Sequence, residues 1–496
     1  MSARPQDWAL GDADAMRGLG WLRWAPALLV ALAVACGAAA CFLYTLNHDV
    51  AYLLYAAGRV LRGATLYVDV PEINPPLIVW LKLPLAWLAL HTGWPDALVL
   101  RLAVLAAGML AVAWSAHLLR AQLAGGFWWS WTAVGVFVAL LLPGYEFGQR
   151  EHLALLCGLP YLAEAALRCN RQPASRSTQV AAAVLATIGF ALKPHFFAVP
   201  LLVEVYAAWR LRRLSMGCVA AVALLAAYLA AIWLFAPHYL DMVRLLATGY
   251  WGFSKGWGAF LTVPYFYATA LLVLLASLAR PRAGELPAVL RLAIAGFTLA
   301  AIVQQKGWSY HWIGALSLAW LLFGLAAASA TAHRSVRGMP LTPVIVAGVM
   351  ALLSLFALFT ARVEGRKINP HPDTLGPVIR ELGGGPVIIF SSFQVSFPLV
   401  TEAGIGSSSR FPTMTIVQAM ERGGNREAVA WIRRAFAQDY YRAPPRLLIQ
   451  ETGPDGRPVI DFVSYFNRDV PELQQYRLVR RTPRFMVLAA PAAGAR

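Results

Sequence analysis

The chain has 496 residues, of which 59% are hydrophobic and 14% charged. Soluble domains carry about a quarter charged residues, so this composition excludes an ordinary soluble globule and points to an integral membrane protein. The net charge of +17 does not mark a nucleic-acid binder, because most arginines stand in short clusters between apolar runs, where topology signals belong.

The first apolar stretch, 25–46, exceeds the apolar core of a signal peptide and reads as a retained span. A spanning helix needs about 20 apolar residues. Further candidates follow at 99–120, 127–143, 152–168, 178–192, 194–209, 217–236, 260–279, 288–304, 311–328 and 341–361, eleven in all. Cys36, Cys41, Cys157, Cys169 and Cys218 lie in or beside these segments without a CxxC spacing, so neither a disulfide framework nor a zinc site is indicated.

The stretch 75–90, "PPLIVWLKLPLAWLAL", decides the topology. With Arg4, Arg17 and Arg23 in the cytoplasm and 75–90 not crossing, the clusters around Arg120, Arg168, Arg210, Arg280 and Arg334–Arg337 all fall on the cytoplasmic side. Letting 75–90 cross would move every later cluster outside, against the basic bias of cytoplasmic loops. Sixteen helical residues also reach about 24 Å, short of a hydrocarbon core of about 30 Å. Lys82 at the bilayer centre would cost roughly 2.5–3.5 kcal/mol. The stretch is therefore expected to lie along the outer interface, which makes 47–98 one long outer loop.

Eleven crossings put the carboxyl end outside. From Arg362 the composition shifts to Pro, Gly and charge. The runs 385–392, 446–451 and 484–491 read as buried strands, and 425–441 as a helix with Ala428, Ile432 and Phe436 on one face. The expected architecture is an α-helical polytopic membrane domain, 1–362, with a small extracytoplasmic α/β domain, 363–496. No internal repeat is visible. "GIGSSSRF" (404–411) lacks the strand–glycine–helix context of a phosphate loop.

Sorted by side, the outer face collects Asp49, Glu72, Arg150, Glu151, Lys193, His195, Lys255, Lys306 and His311. Each stands at the outer end of an apolar segment or in a loop joining two. A bundle could bring them to one level, where they suit headgroup chemistry. Solvated helix ends and interface anchors are the plainer reading of each residue taken singly.

Four blocks in order resemble the GT-C glycosyltransferases, particularly the protein O-mannosyltransferase and lipid A aminoarabinose transferase group. They are Asp49 after the first span with "LYVDVPEINPP" beyond it, "GYEFGQREHLAL" (144–155), "GFALKPHFFAVPLL" (189–202) and "VQQKGWSYHWIGALSLAWLL" (303–322). The resemblance covers about residues 25–330. It implies transfer of a sugar from a polyprenyl-phosphate carrier to an envelope glycan, lipid or protein acceptor on the outer face of the inner membrane, commonly with inversion.

By matching position, Asp49 becomes the general base. Arg150, Lys193 and Lys306 become ligands of the carrier phosphate, and His195 and His311 donors to phosphate or sugar. Glu72 becomes a sugar or metal ligand, and Glu151 shapes the substrate site or contributes a metal ligand. Two departures stand out. Asp49 is followed by Val50 rather than a second acid, and Glu72 by Ile73 rather than lysine. They weaken a paired-carboxylate metal site, so the cofactor stays undetermined, a divalent metal ion being the candidate. "FSKGWG" (253–258) has the composition of a flap. A transporter or flippase of a lipid-linked or anionic substrate, and a noncatalytic assembly factor, are the other classes compatible with this outline.

Overall fold

The computed structural model describes residues 23–491 apart from 124–125, 280, 333–334, 337–338 and 412–414. Arg4, Arg17, Arg280, Arg334 and Arg337, used above to orient the chain, lie outside the described residues.

The bundle begins with α1 (Ala25–Leu43), α2 (His48–Leu61), α3 (Leu77–Thr92), α4 (Asp96–Leu119) and α5 (Gly126–Leu140). It continues with α6 (Arg150–Cys169), α7 (Arg176–Phe190), α8 (Ala198–Leu211), α9 (Met216–Phe235) and α10 (Tyr239–Trp251). It closes with α11 (Pro264–Ala279), α12 (Leu286–Val303), α13 (Ile313–Thr331) and α14 (Thr342–Glu364). Each of the eleven expected spans falls on one of these helices. Among the described residues, six helical segments are long and apolar enough to cross a membrane: α1, α4, α9, α12, Ser309–Thr331 and α14. α9 buries almost none of its apolar surface, and Trp233 and Phe235 are 77% and 75% exposed. Such a face has no stable partner in water and suits lipid. The protein is a multi-pass membrane protein.

Small residues let the helices close on one another. A Cβ at Gly296 of α12 would stand 2.6 Å from the Val199 Cα of α8, and one at Gly189 of α7 would stand 2.5 Å from the Cys157 Cβ of α6. Only glycine permits these approaches, a use of small residues common in membrane packing. Side-chain caps set several starts: Ser175 accepts from the Thr178 amide, and Ser215 from the Cys218 amide.

α2 and α3 occupy the long loop after α1. Asn47 caps α2 by accepting from the Asp49 amide. One face of α2, including Val50, Tyr52, Leu53 and Leu54, is buried. α3 packs against α2 and α4. Its Lys82 was expected at a lipid interface but is only 2% exposed. Hydrocarbon rejects an ammonium, and here the helix turns it into the protein. α10 was not foreseen: its polar residues disguise a short amphipathic helix inside a loop.

After α14 come α15 (His371–Glu381), β1 (Val387–Phe390), α16 (Phe393–Ala403), α17 (Thr415–Arg422) and α18 (Arg426–Arg442). Then follow β2 (Leu447–Glu451), α19 (Phe462–Phe466), β3 (Arg477–Arg481) and β4 (Phe485–Ala489). The sheet order is β1–β2–β4–β3, with β1 parallel to β2 and the other pairs antiparallel. Strand alternation sends Val387 and Ile389 to one layer with Leu375, Ile379 and Leu399. Ile388 and Phe390 face the other, where Phe436 and Phe466 stack at 4.0 Å. β1, β2, β4 and α18 match the sequence expectation, and Ala428, Ile432 and Phe436 are buried as its spacing required. The edge strand β3 was missed.

Candidate active site

A cavity of about 570 Å³ opens where α2, the turn 71–74, the start of α6, α10 and the loop 307–310 converge. Asp49, Glu72 and Arg150 line it directly, with Glu146, Tyr250 and Trp308 beside them. Asp49 sits in the first turn of α2. Its Oδ2 accepts from Gln149 Nε2 at 3.1 Å and from Arg150 Nη2 at 3.0 Å. The same Gln149 amide also donates to Asn47 Oδ1 at 2.8 Å, and Asn47 Nδ2 donates to Glu146 Oε2 at 2.6 Å. The cap of α2 and the start of α6 are thus tied into one unit.

Glu72 is held by its own turn. Its Oε1 accepts from the Ile73 amide, the Asn74 amide and Asn74 Nδ2 at 2.8, 2.8 and 2.6 Å. Tyr52 and Tyr67 donate from their hydroxyls to the carbonyls of Pro71 and Asn74, fixing both ends of that turn.

Glu151, Lys193, Lys306 and His311 form a buried layer next to this wall, each at most 2% exposed. Lys193 Nζ donates to Glu151 Oε1 at 2.6 Å and to Gln304 Oε1 at 3.2 Å. His311 Nε2 lies 4.0 Å from the same Glu151 oxygen. Lys306 Nζ rests 2.9 Å from the centre of the Tyr250 ring and 4.6 Å from that of Trp308. Both rings line the cavity, so they stand between the lysine and the open space. Arg150 Nε and Nη1, Lys306 Nζ and both His311 nitrogens have no hydrogen-bond partner among the described residues. Buried polar groups in native proteins are normally paired, so these atoms would be completed by water or by a ligand.

His195 does not join the layer. It lines a second, apolar groove of about 660 Å³ between α7, α8, α9 and α12, with Phe190, Leu201, Val222 and Leu299. Lys255 stays exposed, and its amide donates to the Gln305 carbonyl.

The electrostatics divide the carboxyl groups. Burial favours protonation of Asp49, but His48, Arg150 and the Gln149 hydrogen bond outweigh it and hold the carboxyl below its ordinary value. Burial pushes Glu72 up. Burial, with the neighbouring Asp49 and Glu151, pushes Glu146 up to about 8. Burial also lowers Lys193, against the pull of Glu151. It lowers Lys306 to about 6, helped by Lys193 and Arg150. An anion entering the cavity would reverse the Lys306 shift.

The donors do not fit a divalent metal. Asp49 is engaged by Arg150 and Gln149, Glu151 by Lys193, and one Glu72 oxygen by the Asn74 turn. Among the described residues no three His, Cys, Asp or Glu side chains gather as a metal set. The sequence missed Glu146, Asn47, Gln149 and Tyr250. The Glu in "GYEFGQREHL" was visible, but Glu151 drew the role of the acid there.

No family model and no curated protein matches the sequence. Among solved structures, ArnT from Cupriavidus metallidurans bound to undecaprenyl phosphate superposes with a TM-score of 0.61 at 14% identity, covering 96% of this chain and 99% of that one. The arabinofuranosyltransferase AftD from Mycobacteria gives a TM-score of 0.46 at 14% identity, over 95% of this chain and 40% of that one. Nearly the whole chain, from α1 to the small sheet, shares the fold of ArnT.

Proposed function

We propose that the protein transfers a sugar from a polyprenyl-phosphate carrier to an envelope acceptor, with Asp49 as general base. The observation that carries this reading is one cavity lined by Asp49, an oriented carboxylate, and by Arg150, whose Nε and Nη1 have no hydrogen-bond partner among the described residues. ArnT, whose fold the chain shares, was solved with undecaprenyl phosphate.

In this reading the acceptor hydroxyl docks on Asp49. Its O–H bond breaks toward the carboxylate while its oxygen attacks the anomeric carbon. The bond from that carbon to the phosphate oxygen breaks, its electron pair stays on the phosphate, and the centre inverts. Arg150 offers Nε and Nη1 to the departing phosphate, and its remaining arm keeps Asp49 in place. Lys306 adds a second cation once the Tyr250 or Trp308 ring turns aside, and His311 lies within the same layer. Lys193 is committed to Glu151, so it acts by holding that carboxylate and Gln304. Glu72 presents its other oxygen to sugar hydroxyls. The groove beside His195 suits the isoprenoid chain, because its walls are largely apolar. No step runs through a metal.

The reading places 1–362 in the cytoplasmic membrane with the amino end inside, and 363–496 on the outer face. The donor sugar is a hexose or pentose. The test is transfer by the purified protein in liposomes supplied with polyprenyl-phosphate sugars. Asp49→Asn should lower turnover by about 10²–10⁴-fold, the usual worth of a general base, while lipid-phosphate binding persists. Near-normal transfer by this variant would overturn the role of Asp49.

A further inference from the structure

The carboxyl-terminal region is tied to the turn that presents Asp49. Glu402, in the last turn of α16, has a side chain only 8% exposed. Its Oε1 accepts from the Leu46 amide at 2.6 Å, three residues before Asp49, and from Arg101 Nη2 at 2.7 Å. The same Arg101 nitrogen donates to the Tyr44 carbonyl at 2.8 Å. Arg366 Nη1 donates to the second Glu402 oxygen at 3.1 Å.

The neighbouring Thr401 hydroxyl donates to the Ala51 carbonyl at 3.1 Å, inside the first turn of α2. Phe397, one turn earlier on α16, packs edge-on against Tyr52 with ring centres 4.9 Å apart. Gly404, left-handed at φ 66°, ends α16 directly after these contacts. At the other end of α16, Ser392 lines the cavity, and Ile416 of α17 lines it too. One helix of the carboxyl-terminal region therefore runs from the cavity wall to the base of the Asp49 turn.

We propose that Glu402 is a positioning residue for Asp49, through which the carboxyl-terminal region sets the catalytic geometry. This rests on the transferase reading above. A carboxylate between two guanidiniums and a backbone amide is a stiff joint: charge-assisted hydrogen bonds are short and directional. It fixes the peptide at Leu46. The Asn47 cap, the Gln149 and Arg150 contacts and the Thr401 bond then leave the Asp49 carboxylate little freedom. The carboxyl-terminal region is thus part of the site, and a chain lacking it has no fixed base.

The experiment compares Glu402→Ala, Glu402→Gln and a control, Arg480→Ala, which breaks only an exposed pair with Glu381 on the distant edge strand. Glu402→Ala should lower kcat by about 100-fold, the scale of a 1 Å misplacement, with donor KM nearly unchanged. Glu402→Gln keeps an acceptor oxygen for the Leu46 amide and should recover most of the loss. Amide hydrogen exchange should rise at 46–51 in Glu402→Ala and not in the control. Thr401→Val, a milder cut, replaces Glu402→Ala if that variant does not fold.

Unchanged kcat overturns the proposal. So does unchanged exchange at 46–51, or a loss of kcat that only follows general unfolding. If the wild-type protein transfers no sugar from any polyprenyl phosphate, the transferase reading fails instead, and exchange at 46–51 still decides whether Glu402 holds this turn.

Discussion

α6 carries buried arginines at both ends, and the two are treated differently. At its start, Arg150 gives Nη2 to Asp49 and leaves Nε and Nη1 without partners. Eighteen residues on, about 27 Å along the helix, Arg168 is saturated. Its Nε donates to Glu164 at 2.8 Å, and its two Nη atoms donate to Glu204 at 3.2 and 2.7 Å. Tyr161 completes that cluster by donating to Glu204 at 2.9 Å. The Arg168 cluster has two carboxylates for one cation; the Arg150 end gathers Arg150, Lys193 and Lys306 with Asp49, Glu72, Glu146 and Glu151, yet Arg150 Nε and Nη1 and Lys306 Nζ have no partner among the described residues. A saturated buried pair holds helices in register. An undersaturated one waits for a ligand with negative charge.

The comparison breaks most sharply on Arg150. Arg150→Met should lower transfer by a factor on the order of 10²–10³, the range for loss of one transition-state donor, in a sugar-transfer assay. Donor binding should weaken with it. If binding of polyprenyl phosphate is unaffected, the unpartnered donors are not the phosphate site.

Arg168→Met should do the opposite. Removing one partner of a buried ion pair typically costs about 3–5 kcal/mol. The melting temperature should fall, while protein that stays folded keeps its affinity for lipid phosphate. A specific loss of binding with intact stability would erase the distinction between the two ends.

Lys306→Met removes an ammonium that burial disfavours. It should leave the empty protein as stable as before or more so, and weaken donor binding about tenfold, as for one charge-assisted hydrogen bond. Thermal unfolding of the empty protein reads the first half of this expectation, and titration calorimetry against a short-chain polyprenyl phosphate reads the second.

The smallest effect belongs to Glu146. With its carboxyl pushed up to about 8, it is neutral below that pH and gains a charge above it. That added negative charge opposes an anionic ligand, so donor affinity should fall as pH rises through about 8. Glu146→Gln should flatten this fall and leave affinity at pH 7 near the wild-type value. A persistent alkaline fall in the variant would assign it to another group.

Much of this molecule was legible in its sequence. The helices of the bundle announced themselves by apolar length, and three strands by short runs of β-branched residues. Asp49, Glu72 and Arg150 were found because each interrupts an apolar pattern beside a loop. What escaped has physical causes. β3, "RLVRR", is an edge strand exposed along its whole length, so it carries no apolar alternation. Lys82, expected on a helix along the outer interface, is buried instead, because a sequence does not say which way a helix is turned. His195 matched a motif by order but lies on the groove side of Lys193. Glu402 meets Leu46 across 356 residues, a pairing that no local pattern encodes.

That last separation also sets a clock. The bond from Glu402 to Leu46 cannot form until the ribosome has passed residue 402, and Ile416 reaches the cavity wall later still. At about 5–20 residues per second, those 356 residues take roughly 20–70 s to make. Within that interval the remaining helices of the bundle, from His48 to Glu364, are made, and the Asp49 turn still lacks its tie to Glu402. The turn that carries Asp49 thus gains its tie to α16 only after the helices of the bundle have been made.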